Sequence, residues 1–108
     1  MSALIEATSN VKPSRVIAGA GAQRFGSKLI PARLHVLARE RLLMAAATPA
    51  EVRQYIWTHG QKELAEVSDI QANQHIVTNR VFHSVRLELV AAGLLTQFKR
   101  GQWVPVAA

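Results

Sequence analysis

The chain of 108 residues contains no cysteine. Disulfide bridges and thiolate metal sites are therefore excluded, which fits a reducing compartment. Long apolar runs are also absent, since the longest uncharged run, Leu42 to Ala47, is far shorter than the roughly 20 residues of a membrane span. No apolar segment of secretory length follows a basic start in residues 1–20, so no signal peptide is predicted. We expect a soluble, cytoplasmic protein without a membrane partner.

Acidic residues are scarce, at seven against thirteen Lys and Arg. The glutamates have plain helical explanations, so neither a two-carboxylate hydrolase nor a metal nuclease can be assembled from them. The histidines at 35, 59, 75 and 83 lack metal-ligand spacing. The run Val16 to Gly21 resembles a dinucleotide-binding loop only superficially, because Arg24 stands where the third glycine belongs. The sequence therefore predicts no catalytic residue, no metal and no cofactor.

Positive charge is what the chain has in excess, with a formal net charge of +6 and a pI near 10.9. Residues 1–30 and 79–108 each carry four Lys or Arg against one Glu, whereas residues 61–78 are net negative. Such a balance favours a polyanionic partner, although basic charge can also serve solubility alone. The two ends of the chain are therefore the parts that we expect to contact nucleic acid.

Two helices are predicted in the first two thirds of the chain. Residues 1–27 show no sustained period and are interpreted as a flexible basic N-terminal arm, which leaves residues 28–108 as one domain. Apolar and long side chains then recur at three- and four-residue steps from Pro31 to Ala45, which predicts the first helix. Thr48-Pro49-Ala50-Glu51 forms a capping box for a second helix over 49–58, which Gly60 is placed to end. Residues 61–78 mix helical and turn signals.

The last thirty residues give the clearest pattern. Thr78 or Asn79 can cap a helix over about 79–92, which Gly93 stops. Residues 94–98 and 103–106 are β-prone runs around a turn at Arg100-Gly101, and we expect Phe98 and Trp103 to pair across the strands on the core side. The expected fold class is mainly α with a small C-terminal β-hairpin, in the order of a winged helix-turn-helix.

A helix followed by a basic hairpin indicates binding of double-stranded DNA, in which the helix enters the major groove and the wing covers flanking phosphates. The alternatives are an ordinary solvated helix face and a charged turn that blunts an edge strand. The candidate DNA-binding residues lie on the helix and the wing: Asn79, Arg80, His83, Ser84, Arg86, Lys99, Arg100 and Gln102.

The segment from Asn79-Arg80 to Ala92-Gly93-Leu94-Leu95, followed by Lys99 to Trp103, resembles the end of the N-terminal winged-helix domain of Mrr-type restriction proteins. That family has a similar Asn-Arg start, an Ala-Gly-Leu-Leu exit and an Arg-Gly turn. The resemblance implies DNA binding through residues 79–92 and 99–102. Two departures are Phe82-His83-Ser84 in place of the family's Trp-Ala pair and the lack of a following nuclease domain, so restriction cleavage is not implied. A small transcriptional regulator or a phage or plasmid accessory protein is the role that remains.

A second class of function stays open. Leu87 and Val90 project partly away from the predicted core, so this surface can instead meet another protein. In that hypothesis the domain docks on a larger nucleic-acid or viral assembly, or forms a homodimer. RNA binding ranks third, because no aromatic sheet platform is visible.

Overall fold

The structure, a computed structural model, describes residues 23–106. Four helices lie between two small antiparallel hairpins in this part of the chain. The first hairpin consists of β1 (Arg24–Phe25) and β2 (Lys28–Leu29), and the last of β3 (Leu95–Lys99) and β4 (Gln102–Pro105). The helices are α1 (Ala32–Met44), α2 (Pro49–His59), α3 (Gln61–Val67) and α4 (Gln71–Ala91). A mainly helical fold with a small C-terminal hairpin is thus confirmed.

One apolar core joins all four helices to the hairpins. Phe82 is its largest fully buried side chain, and Phe25 and Trp103 pack against it from the two hairpins. The long helix α4 contacts α1, α2, α3 and β3. Arg39 Nη2 of α1 donates to both carboxylate oxygens of Glu88 in α4, at 3.2 and 3.1 Å, and this contact joins the two helices at the edge of the core. None of the helices in the described part combines the length and apolar character needed to cross a bilayer.

Helix α2 begins as the sequence predicts. The Thr48 hydroxyl accepts from the Glu51 backbone N–H at 3.2 Å, and the Glu51 carboxylate accepts from the Thr48 N–H at 2.9 Å. Gly60 follows the last residue of α2 and caps it, but with φ of −114° rather than a left-handed conformation. The reason for glycine here is space, since a Cβ would lie 2.5 Å from Leu34 Cδ2 and 2.8 Å from the Ile56 carbonyl oxygen.

Helix α4 begins at Gln71, so the predicted start at Thr78 or Asn79 is wrong. The polar residues that suggested a turn have local partners instead. Gln74 is buried and its amide donates to the Ser68 carbonyl at 2.6 Å, while the Thr78 hydroxyl donates to the His75 carbonyl at 2.7 Å. These bonds let polar side chains sit inside the helix without breaking it.

The end of α4 is the one expected. Gly93 has φ of +76°, and the backbone N–H groups of Gly93 and Leu94 donate to the carbonyls of Val90 and Leu89. This is a Schellman ending, in which a left-handed residue after the cap satisfies the last carbonyls of the helix.

The C-terminal hairpin corrects one prediction. Gln97, not Phe98, lies opposite Trp103, because a bulge falls between Gln97 and Lys99. Phe98 is 71% exposed, whereas Trp103 packs on the core, so the expected Phe98–Trp103 pair does not form. The extra residue of a bulge reverses which face the following side chain takes. The other edge of β4 is also used, since Ala47 and Trp103 exchange backbone bonds of 2.9 and 2.8 Å.

The predicted boundary between arm and domain, at residues 27 and 28, falls within the first hairpin. Gly26 forms its turn with φ of +61°, and the Ile30 N–H donates to the Gln23 carbonyl at 2.8 Å. Residues 1–22 of the predicted arm, and with them the glycine run of residues 16–21, lie outside the described residues, as do residues 107–108.

Candidate nucleic-acid interface

A row of polar and aromatic side chains lines the junction between α2 and α4. Arg53 of α2 donates through Nη1 to Asn79 Oδ1 of α4 at 3.3 Å. One turn away, the rings of Trp57 and His75 stack with centroids 4.1 Å apart and planes within 9°. Arg53 and Trp57 are four residues apart in α2, as are His75 and Asn79 in α4, and residues at this spacing are neighbours along one helix face. We name this row the α2–α4 seam and define it as Arg53, Trp57, His75, Asn79, His83 and Arg86.

The C-terminal hairpin meets the seam at one end. The guanidinium carbon of Arg86 lies 5.0 Å from the centroid of the Trp103 ring, at cation–π distance. Trp103 is held in turn by its backbone bonds to Ala47, just before α2. The seam therefore runs continuously from α2 across α4 to strand β4, and a shallow depression of about 220 Å³ lies along it beside Arg53, Trp57 and His75.

Carboxylates are distributed unequally around this surface. The three ion pairs among residues 23–106 all take their arginine from α1: Arg33–Glu63 at 3.7 Å, Arg39–Glu88 at 3.1 Å and Arg41–Glu51 at 3.9 Å. Eight other Lys and Arg side chains of residues 23–106 have no carboxylate of this range within 4 Å. They are Arg53 and Arg86 of the seam, Lys99 and Arg100 of the C-terminal hairpin, and Arg24, Lys28, Lys62 and Arg80 elsewhere. The positive charge of α1 is largely compensated, whereas that of the seam and the C-terminal hairpin is left for solvent or a ligand.

The positive charge of the seam affects the protonation of His83. Its Nδ1 accepts from Arg86 Nη2 at 3.4 Å, which requires an unprotonated Nδ1. Partial burial, followed by the nearby charges of Arg86 and Arg53, lowers the pKa of His83 below its usual value of 6.5. The imidazole is therefore mostly neutral near pH 7, in contact with Arg86 and within the electrostatic influence of Arg53.

Arg80, another of the candidate DNA-binding residues, lies elsewhere. Its Nη1 donates to the Arg24 carbonyl at 3.4 Å, and its guanidinium carbon lies 5.2 Å from the centroid of the Phe25 ring. Arg80 therefore connects the N-terminal hairpin to α4, although its side chain is exposed. Ser84 follows one turn later on the same side of the helix and is half-buried.

The eight predicted contact residues thus occupy three places. Asn79, His83 and Arg86 lie at the α2–α4 seam, and Arg80 and Ser84 on the side of α4 that faces the first hairpin. Lys99 and Arg100 are exposed at the tip of the C-terminal hairpin, where Gly101 has φ of +76°, and half-buried Gln102 lies opposite Lys99.

Three residues of the seam are not among the sequence predictions: Arg53, Trp57 and His75. Arg53 and Trp57 flank the buried Val52 and Ile56 of α2, so helical spacing alone places them at the edge of its core face. That signal was available in the sequence. His75 was hidden because it precedes the predicted start of the helix.

Exposed apolar side chains occur toward the C-terminal end of α4 and in the segment that follows it. Leu87 is 60% exposed, and Val90, Leu94 and Phe98 are exposed as well. The partial projection of Leu87 and Val90 from the core is confirmed. In residues 23–106 no group of three or more His, Asp or Glu side chains is arranged to hold a metal ion.

The sequence matches no protein-family model, and comparisons with curated proteins and with solved structures give no match. The resemblance to Mrr-type N-terminal domains stays a prediction. A function is therefore inferred from the α2–α4 seam, the C-terminal hairpin and the positive charge that they carry.

Proposed function

We propose that this chain is a winged helix-turn-helix protein that binds double-stranded DNA through α4 and the wing β3–β4. Helices α3 and α4 are joined by residues 68–70, and a turn of three to four residues is typical of helix-turn-helix units. Helix α4 passes directly into the wing through Gly93. The pairing of Ala47 with Trp103 adds a third extended segment beside the wing, which fixes the hairpin against the helices.

The observation that carries the proposal is the uncompensated positive charge along the seam and the wing. Arg53, Arg86, Lys99 and Arg100 belong to three different elements, yet within residues 23–106 none of them is paired with a carboxylate. Phosphate groups are the natural counter-charges for such a surface, because neutralising them releases the counterions condensed on DNA.

Base reading is assigned to the exposed side of α4. Since the N-terminal residues of a recognition helix contact base edges, the observed start at Gln71 adds Gln71 and His75 to the proposed reading residues. Asn79 and His83 continue the same side toward Arg86, where they contact phosphate, and Arg80 and Ser84 border the base-reading residues. Arg86 contacts phosphate in this proposal, as do Lys99, Arg100 and Gln102 at the wing. A small transcriptional regulator or a phage or plasmid accessory protein is the setting in which we place this activity.

The test is a fluorescence-anisotropy titration of a labelled mixed-sequence duplex at several salt concentrations. We expect binding that weakens steeply with salt, with a slope of about −0.9 in log K against log salt for each phosphate contacted. Lys99→Ala lowers affinity evenly on all sequences and reduces that slope by about one contact. Val36→Ala, which changes an exposed α1 side chain of no charge, is the control. Absence of binding at low salt would overturn the proposal.

The exposure of Leu87, Val90, Leu94 and Phe98 favours a second candidate, a protein-interaction module that docks on a larger nucleic-acid or viral assembly or on a second copy of this chain. Exposed apolar side chains mark contact sites where they form a contiguous patch. In that case Leu87→Ser removes partner binding and leaves duplex binding, if any, unchanged.

A further inference from the structure

Two arginines from different helices contact neighbouring side chains of α4 at the α2–α4 seam. Arg53 of α2 donates to Asn79, one turn before His83, and Arg86 of α4 donates to the His83 ring. Partial burial and, after it, the charges of Arg86 and Arg53 lower the pKa of His83, so both guanidiniums act on the same imidazole. The charged groups that face His83 are thus Arg53 from α2 and Arg86 from α4.

Each member of this group keeps hydrogen-bond donors to spare. A guanidinium carries five N–H donors, of which the Asn79 and His83 contacts each use one. When Asn79 Oδ1 accepts from Arg53, its amide NH₂ still has two donors, and His83 has a donor at Nε2. Trp103 lies beneath the Arg86 guanidinium and limits its movement. Unused N–H donors beside two cations are groups to which an anion such as phosphate can form charge-assisted hydrogen bonds.

We propose that Arg53, Asn79, His83 and Arg86 form one phosphate-binding subsite, which takes a backbone phosphate when the protein binds DNA. The assignment to DNA rests on the proposed function, whereas the subsite itself requires only a phosphate group. Arg53 is central to it, because it brings α2 into an interface that otherwise belongs to α4 and the wing.

A proton is bound together with the phosphate. In the free protein the two arginines disfavour a charged imidazole, whereas a phosphate between them reverses the sign of the local field and raises the pKa of His83. Because the bound state then holds more protons than the free state, affinity increases as the pH falls through the region around 6.5. Arginines alone would give no such dependence, since they stay charged throughout this range.

The first experiment follows the His83 ring by NMR in the full-length protein, with its signal assigned by comparison with His83→Gln. The pH is titrated with inorganic phosphate present and again with sodium chloride at equal ionic strength. We expect phosphate to raise the pKa of His83 in the wild type and in Arg33→Gln, whose arginine pairs with Glu63 away from the seam. The rise should vanish in Arg53→Gln. An equal pKa in phosphate and chloride overturns the subsite.

The second experiment measures binding of the labelled duplex by the same variants. Relative to Arg33→Gln, we expect Arg53→Gln to lose roughly tenfold in affinity at low salt and about 0.9 in the magnitude of the salt slope. It should also lose the increase in affinity at low pH. If the wild type binds duplex but Arg53→Gln matches Arg33→Gln, the subsite is wrong and the proposed function stands. If phosphate shifts the pKa of His83 but no duplex binds, the subsite stands as a site for free phosphate or phosphorylated ligands and the DNA function is wrong.

Discussion

Replacing Gly60 by alanine tests how the helices are packed. Gly60 ends α2 and begins α3, and its backbone N–H and carbonyl bond to Ile56 and Leu64, each at 2.8 Å. Its φ of −114° is open to any residue, so an alanine here would ordinarily stabilise the fold by about 0.4–1 kcal/mol through the unfolded chain. The tertiary structure reverses that sign, because the position is buried against α1.

The cost follows from the contacts of the added methyl group. It would lie 2.5 Å from Leu34 Cδ2, 2.8 Å from the Ile56 carbonyl oxygen and 3.1 Å from Leu37 Cδ1. Leu34 is fully buried and the carbonyl belongs to the helix backbone, so neither can move away freely. Overpacking of this kind costs about 1–3 kcal/mol, which corresponds to a fall in Tm of roughly 4–8 °C for each kcal/mol in a domain of this size.

Urea unfolding followed by far-UV circular dichroism measures the free energy of unfolding of Gly60→Ala. A second variant, Gly60→Ala with Leu34→Ala, separates a steric clash from a backbone effect. Trimming Leu34 should remove part of the penalty, so the two changes should be less damaging together than the sum of the single changes, by about 0.5–3 kcal/mol. A Gly60→Ala protein as stable as the wild type, or strict additivity, would refute the packing that we describe.

The remaining predictions concern a buried histidine and the end of α4. His35 is buried, its Nε2 lies 2.8 Å from Gln23 Oε1, and desolvation, followed by the charge of Arg39, lowers its pKa below 6.5. His35 therefore binds a proton more readily in the unfolded chain than in the folded protein. The free energy of unfolding falls as the pH drops below about 6.5, by at most about 1.4 kcal/mol per pH unit. In His35→Gln, the free energy of unfolding, measured in urea at several pH values, should depend less on pH. Gly93→Val should lower the free energy of unfolding by about 1–2 kcal/mol or more, because valine would have to adopt a φ of +76°. The cost comes from the backbone alone, since an added Cβ would meet nothing within 4 Å. An unchanged Tm in a thermal melt would contradict the Schellman ending.

The candidate site shows how far sequence reasoning reached. Helical spacing and the Arg-Gly turn located the basic side of α4 and the wing tip, because periodicity and turn chemistry are local properties. Spacing could not show that Arg80 is engaged with Phe25, 55 positions earlier in the chain, nor that Arg53 joins Asn79. Such contacts between distant segments are set by packing. The predicted position of Phe98 is wrong for a related reason, since one extra residue in a bulge decides which face of a hairpin a side chain takes.

By itself, the sequence determined the first two helices, the capping box at Thr48, the left-handed glycine at 93 and the C-terminal hairpin. Each of these depends on neighbours within a few residues, whose preferences agree with the final fold. Only the tertiary structure decided that α4 extends back to Gln71, because its polar residues find hydrogen-bond partners that no spacing rule reveals. It also decided that Arg53 of α2 contacts Asn79, one turn from the His83–Arg86 contact, since the position of one helix against another follows from the fit of their buried side chains.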